Sequence, residues 1–193
     1  MALWGITDAD EAKPKWLTTA QKKEVFANSS GWVVEGGSTQ TGNDNADAQP
    51  EVLCCVGDLA TGIGAADITE IEFITTAFDK SDGGNIDVRV RFNEAVTVNT
   101  SGGTPTLTIT NDTPSRNLTA TYLSGSTTNE LIFRKTIAAA NAATNAGDVL
   151  SIAANAMALA SGTIKDTADG STNATITNSG AIGTAAGTIT VAA

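Results

Sequence analysis

From Ile86 to Phe92 apolar and charged residues alternate. Ile86, Val88, Val90 and Phe92 share one parity, and Asp87, Arg89 and Arg91 share the other. Side chains of a strand point to opposite faces in turn, so this stretch predicts an antiparallel strand with one buried and one solvated face. Upstream, "ITEIEFITTAF" alternates less regularly: Ile68, Glu70 and Glu72 stand against Ile71, Phe73 and Thr75, and Ile74 breaks the pattern. Downstream, "TPTLTIT" sets Leu107 and Ile109 on one face, and "LTATYLS" and "NELIFRKTI" flank "GSTT", a hairpin-type loop. "GDVLSIAANA" offers Val149, Leu150 and Ile152 before "GTIKDTADGS", "NATITNSG" and "GTITVAA". The alanine-rich run before it is interrupted by Asn141, Asn145 and Gly147, which predicts a loop or one helical turn over 138–146. Short strands divided by Gly, Asn, Asp and Ser turns predict an all-β sandwich of about seven strands over residues 67–193.

Residues 1–50 show no such alternation. "LTTAQKKEVF" could form a short helix capped by Thr18 or Thr19. "EGGSTQTGNDNADAQP" has the composition of a linker. "EVLCCVG", at 51–57, reads as a short buried strand, and "DLATGIGAAD" as a second connector. Residues 1–66 are therefore expected to be an irregular arm with one apolar strand. The arm holds all three Trp of the chain, Trp4, Trp16 and Trp32.

Charge and composition exclude several functions. The net charge is −10, divided evenly, with −5 in residues 1–66 and −5 in residues 67–193. Such a chain lacks the clustered Lys and Arg that neutralise nucleic-acid phosphates or hold an anionic membrane. There is no His, hence neither the commonest general base nor the commonest zinc ligand. No Cys–His pair, activated Ser or phosphate-binding Gly loop stands in their place, so no enzyme activity and no cofactor are expected. With aromatics at only 5% and 19 Gly, thin β layers are expected rather than a large enzyme core. The adjacent Cys54 and Cys55 are poorly placed to bridge each other and read as two small buried apolar residues. No apolar run is long enough to span a bilayer, and the first residues lack the basic and apolar regions of a secretory signal. Asp79 and Asp82, or Asp166 and Asp169, offer loop oxygens to a calcium ion, but Asp in turns more often caps its own backbone, and no metal site is expected.

Four separated stretches carry a resemblance: "FNEAV", "PTL", "TYLSGS" running into "LIF", and "GTIKD". In order they place Phe92, Glu94, Val96, Pro105, Leu107, Tyr122, Ser124, Gly125, Leu131, Phe133, Gly162, Thr163, Ile164 and Asp166. This pattern, over about residues 68–178, resembles the bacterial immunoglobulin-like repeats of large surface and adhesion proteins. The resemblance implies an immunoglobulin-like β-sandwich. The opening "MALWG" and "KPKWL" is similar to the starts of small structural proteins of tailed bacteriophages, particularly from marine hosts.

Together the two resemblances imply a virion structural protein, foremost a capsid decoration subunit. It would be made in the host cytoplasm, without need of an export signal, and exposed on the particle. Trp4, Lys13, Pro14, Lys15, Trp16, Leu17 and Trp32 are then the expected contacts to a major capsid protein or another virion protein, since Trp is enriched at interface hot spots. The alternative for the Trp is packing on the protein's own sandwich. A symmetric homo-oligomer fits such a lattice, and a weak contact with host-surface glycans is possible at the exposed sandwich. A neck, tail or fibre location and a bacterial adhesion module are the competing assignments.

Overall fold

The apolar stripe beginning at Ile86 continues past Phe92 and becomes the axis of the fold. In the computed structural model, which describes residues 13–193, it lies in a long strand, β6 (Gly84–Asn99). Before it come β1 (Val25–Asn28), β2 (Gly31–Val34), β3 (Glu51–Cys55), α1 (Leu59–Gly62), β4 (Ile68–Phe73) and β5 (Phe78–Asp79). After it come β7 (Thr106–Asn111), β8 (Leu118–Ser124), β9 (Thr128–Ile137), β10 (Val149–Ser151), β11 (Met157–Ala158), β12 (Thr163–Asp166), α2 (Gly180–Ala185) and β13 (Ile189–Ala192). The described chain is all-β.

Hydrogen bonding links the strands in the order β3-β2-β1-β6-β9-β8-β7-β10-β13-β5, with β4 and β12 also on β6 and β11 on β7. Residues 67–193 thus hold ten strands rather than about seven. The extra ones are rim segments of two to four residues, too short to show a period. The hairpin expected across "GSTT" forms as β8 and β9, with Tyr122 opposite Phe133. The alanine-rich run passes through turns into β10.

Ile86, Val88, Val90, Phe92 and Val96 are all buried in one core with Leu107, Ile109, Ala120, Leu131, Phe133, Leu150, Ile164, Ile189 and Val191. The pairing of β6 with β9 runs without a break from Gly84–Ile137 to Arg91–Glu130, then resumes only at Val96–Thr128. The interruption is a bulge, which bends a strand and strengthens its twist. At the bulge β6 takes new neighbours. Asn93 bonds reciprocally with Asp67, Thr167 N donates to Ala95 O at 3.0 Å, and β1 meets Glu94 through Ala27 in parallel.

Residues 13–66 depart most from the sequence expectation. They are not an irregular arm. Thr18 and Gln21 cap each other reciprocally: Thr18 N donates to Gln21 Oε1 at 2.9 Å, and Gln21 N to Thr18 Oγ1 at 3.2 Å. The helical turn they start ends after Gln21–Glu24 and gives way to β1, because β-branched and aromatic residues follow. β1 and β2 form a hairpin closed by Ser29 and Ser30. Gly31 follows at φ +132, where an added Cβ would sit 2.1 Å from the Cys54 carbonyl oxygen, so only glycine lets β3 approach. A second apolar core assembles here from Leu17, Val25, Ala27, Trp32, Val34, Leu59, Ala60 and Ile63. The connector "DLATGIGAAD" supplies three of these, Leu59 and Ala60 from α1 and Ile63 directly after it.

Two further expectations are corrected. β3 is an edge strand, paired only with β2, so Cys55 and Val52 are exposed and Cys54 is half-buried. Trp32 has 0% exposure and serves the hairpin core, so burial removes it from the docking set. Trp4 lies outside the described residues. Trp32→Ala should cost about 3–5 kcal/mol in urea unfolding, as large core truncations do. Trp32→Phe should cost clearly less, because Trp32 Nε1 has no hydrogen-bond partner to lose.

Candidate functional site

The charged parity of β6 is not a freely solvated row: Asp87 and Arg89 are half-buried in ion pairs. Arg91 is buried, with a side-chain exposure of 6%, beneath the hairpin unit. Its guanidinium is shared among carboxylates from both units. Nη1 donates to Glu70 Oε2 at 2.8 Å, Nη2 to Glu35 Oε1 at 2.8 Å, and Nε to Glu130 Oε1 at 2.5 Å, with Glu72 Oε2 at 3.5 Å from Nη1. Strand register explains two of these contacts: Glu70 and Glu130 are the partners of Arg91 across β4 and β9. Glu35 arrives from the other unit, at the end of β2. Arg89, one pleat away, bonds Glu72 and stands 3.3 Å from Glu130 Oε1. Lys23, within the Gln21–Glu24 turn, bonds the second oxygen of Glu70.

Nε and Nη2 lie on one edge of a guanidinium and ordinarily grip a single carboxylate. Here that edge holds two, Glu130 and Glu35, side by side. Glu35 Oε2 is buried and meets no donor from the protein. Two adjacent carboxylates ionise together only at a cost, and here it falls on Glu35, the less exposed of the two. Burial, followed by the charge of Glu130, pushes Glu35 up to about 7, with Arg91 opposing. Burial also acts on Glu70, but the Lys23 and Arg91 hydrogen bonds outweigh it and hold that carboxyl below its ordinary range. Burial disfavours the charge on Arg91, yet Glu130, Glu35 and Glu70 overcome it and keep the guanidinium ionised.

An open cleft of ≈ 850 Å³ lies over this cluster, between the 36–50 loop and the ends of β6 and β9. The loop is tied to the Gln21–Glu24 turn: Ser38 Oγ donates to Glu24 Oε2 at 2.5 Å, and Gln40 Nε2 to Gln21 O at 3.0 Å and Glu24 Oε2 at 3.3 Å. The cleft walls therefore belong to both units, and the ionic cluster is the seam that joins them.

Those of the expected docking residues that are described do not line this cleft. Pro14 and Leu17 are buried and close a turn through the 3.2 Å bond from Leu17 N to Pro14 O. That turn presents Lys15 and Trp16 outward, Trp16 at 62% exposure. Lys13 reaches back instead, and its Nζ donates to Lys22 O at 2.7 Å. The acidic loops weighed for calcium bind their own backbone. Asp79 accepts from Ser81 N and Oγ at 2.7 Å, Asp169 from Ser171 N at 2.7 Å and Thr172 N at 2.8 Å, and Asp166 from Ala168 N at 2.6 Å. Among the described residues no helix is long and apolar enough to cross a membrane.

Glu35, Glu70, Glu72, Arg89, Arg91 and Glu130 escape the sequence reading. A signal was present: "EIE" and "RVR" place two acids and two bases at strand spacing on adjacent segments. Comparison with protein-family models, curated proteins and solved structures found no match.

Arg91→Ala should destabilise the fold by about 3 kcal/mol, because the buried Glu70 keeps only Lys23 and the half-buried Glu130 only Arg89; urea titration measures it. The Glu35 proton predicts a slope with pH. Glu35 is held above its ordinary value of 4.5 in the folded state, so folding binds a proton between there and about 7. Stability should be greatest near about pH 5 and fall as pH rises through about 7, by about 1–2 kcal/mol once solvent screening is allowed for. Glu70, held low, contributes the opposite loss below its ordinary value. Glu35→Gln mimics the protonated acid, so it should flatten the profile between pH 5 and 8 and be more stable than the parent at pH 8.

Proposed function

We propose that the chain is a non-enzymatic structural subunit of a tailed-phage virion, most specifically a capsid decoration protein. In this assignment residues 67–193 are an immunoglobulin-like sandwich that projects, and the hairpin unit docks on the shell. The fold reading is supported by the antiparallel run β4-β6-β9-β8-β7, by β12 on the far half of β6, and by β10 and β13 closing on the same core. The order of the resembling stretches supports it as well.

The observation that carries the docking reading is Trp16. A large apolar ring is 62% exposed on a short turn whose flanking Pro14 and Leu17 are buried. Anchors of this kind bury a large area at little conformational cost. Lys15 stands beside it, positive in a chain of net charge −10, and complements an acidic partner surface. Many copies, each adding such a contact across neighbouring shell subunits, would stabilise the shell against internal pressure. Symmetric self-association is expected where the shell subunits are themselves symmetric. The projecting sandwich remains available for weak contact with host-surface glycans.

The test is cryo-electron microscopy of source particles with the chain located in the map, paired with binding of purified Trp16→Ala to stripped shells. Decoration requires high copy over the shell with Lys15 and Trp16 at the contact. Loss of Trp16 should weaken binding by about tenfold or more, a hot-spot value, with an unchanged melting temperature. A few copies at one vertex or along the tail would replace decoration with a neck or fibre role. Absence from every particle would overturn the virion reading in favour of a surface-adhesion module.

A further inference from the structure

A second concavity, distinct from the cleft over Arg91, lies between the Lys13–Glu24 segment, β4 and α2. It has a volume of ≈ 430 Å³ and is lined by Lys13, Thr19, Lys22, Lys23, Thr69 and Glu70 and by Ala181, Ile182 and Ala185 of α2. Its size lies in the range of small-molecule sites. Its two sides differ in kind. One is aliphatic, from α2, where Ile182 packs against the main core. The other carries three ammonium groups against one carboxylate.

That carboxylate is already committed. Both oxygens of Glu70 are occupied, one by Lys23 and the other by Arg91. Lys22 has no anionic partner among the described residues. Lys13 Nζ donates to the Lys22 carbonyl and to no other described residue, and no described carboxylate pairs with it. Burial, then the charge of Arg91, lowers Lys13 to about 8, although Glu70 and Glu35 act to raise it; Lys22 lowers it further. A desolvated ammonium beside an apolar wall is a site in want of an anion, because an anion would restore what burial removes.

We propose that this groove binds an amphipathic anion, a carboxylate or similar head group on an aliphatic chain. The head group meets Lys13 and Lys22, and the chain lies along Ala181, Ile182 and Ala185. Neither half of the ligand suffices: a bare anion leaves the aliphatic wall wet, and a neutral alkane leaves the lysines unpaired. The inference stands apart from the docking reading, which rests on Trp16.

The full chain titrated at pH 7 with decanoate, below its micelle concentration, tests it. Calorimetry gives affinity and amide NMR gives location. Saturable binding is expected, with resonances of Ala181, Ile182 and Ala185 shifting. Acetate, which lacks the chain, and decanol, which lacks the charge, should each bind at least about tenfold more weakly, the worth of one charge-assisted contact. Lys22→Gln should weaken decanoate by about tenfold, and Ala185→Phe, which fills the groove from an exposed position, should abolish binding with the fold intact. Absence of saturable binding, decanol binding as well as decanoate, or decanoate binding indifferent to both variants would each overturn the proposal.

Discussion

Arg91 cannot be satisfied by one unit alone. Its guanidinium takes Glu70 and Glu130 from the strands on either side of it and Glu35 from the hairpin unit. Removing water from such a group is costly, and the cost is met only when every donor has an acceptor in good geometry. The hairpin must therefore settle where Glu35 reaches Nη2 and Lys23 reaches Glu70. A buried ionic cluster is a poor source of net stability compared with apolar packing. Its stronger effect is to penalise every placement that leaves a charge unmatched. The apolar clusters give this chain its adhesion; Arg91 gives the two clusters a fixed mutual geometry.

The bulge in β6 makes that geometry possible. A regular strand would have stayed paired with β9 along its whole length and left no edge for β1. Between Arg91 and Val96 the ladder opens, and Asn93, Glu94 and Ala95 turn to Asp67, β1 and the chain after β12. One strand thus serves the main core with its even-numbered side chains, the ionic seam with Arg89 and Arg91, and the hairpin with the backbone between. The cleft over the seam and the groove beside α2 both arise because the hairpin unit is seated at this bend rather than continuing the sheet flat.

The main core was legible because burial on one face of a strand writes a period of two into the sequence. Ile86, Val88, Val90 and Phe92 followed it, as did Leu107, Ile109, Leu131 and Phe133. The opposite parity was misread for a physical reason: a charged row looks the same whether it meets water or a row of opposite charges. Only cross-strand register, which brings Glu70 opposite Arg91 and Glu72 opposite Arg89, tells the two apart. In residues 13–66 the strands are four or five residues long and buried on both faces or on neither, so no period shows. Cys54 and Cys55 fail for the same reason. Their type suggests burial, but their place on an edge strand decides otherwise.

Trp16 and Trp32 illustrate what residue type cannot decide. Both are large, and both lie in a Gly- and Lys-bearing polar stretch, yet one is the centre of the hairpin core and the other is presented on a turn. The difference follows from the size of that core. Eight buried residues are few for a unit in which Cys54 and Cys55 are both free and no disulfide closes the fold. Such a core needs its largest side chain inside, and Trp32, next to the Gly31 turn, is the one the hairpin can enclose. It also needs a staple, which the Arg91 cluster supplies from the main sheet. The Lys15–Trp16 turn, pinned by Leu17 in that core, has a fixed direction, and in the docking proposed for it this anchoring would lower the ordering cost met on contact.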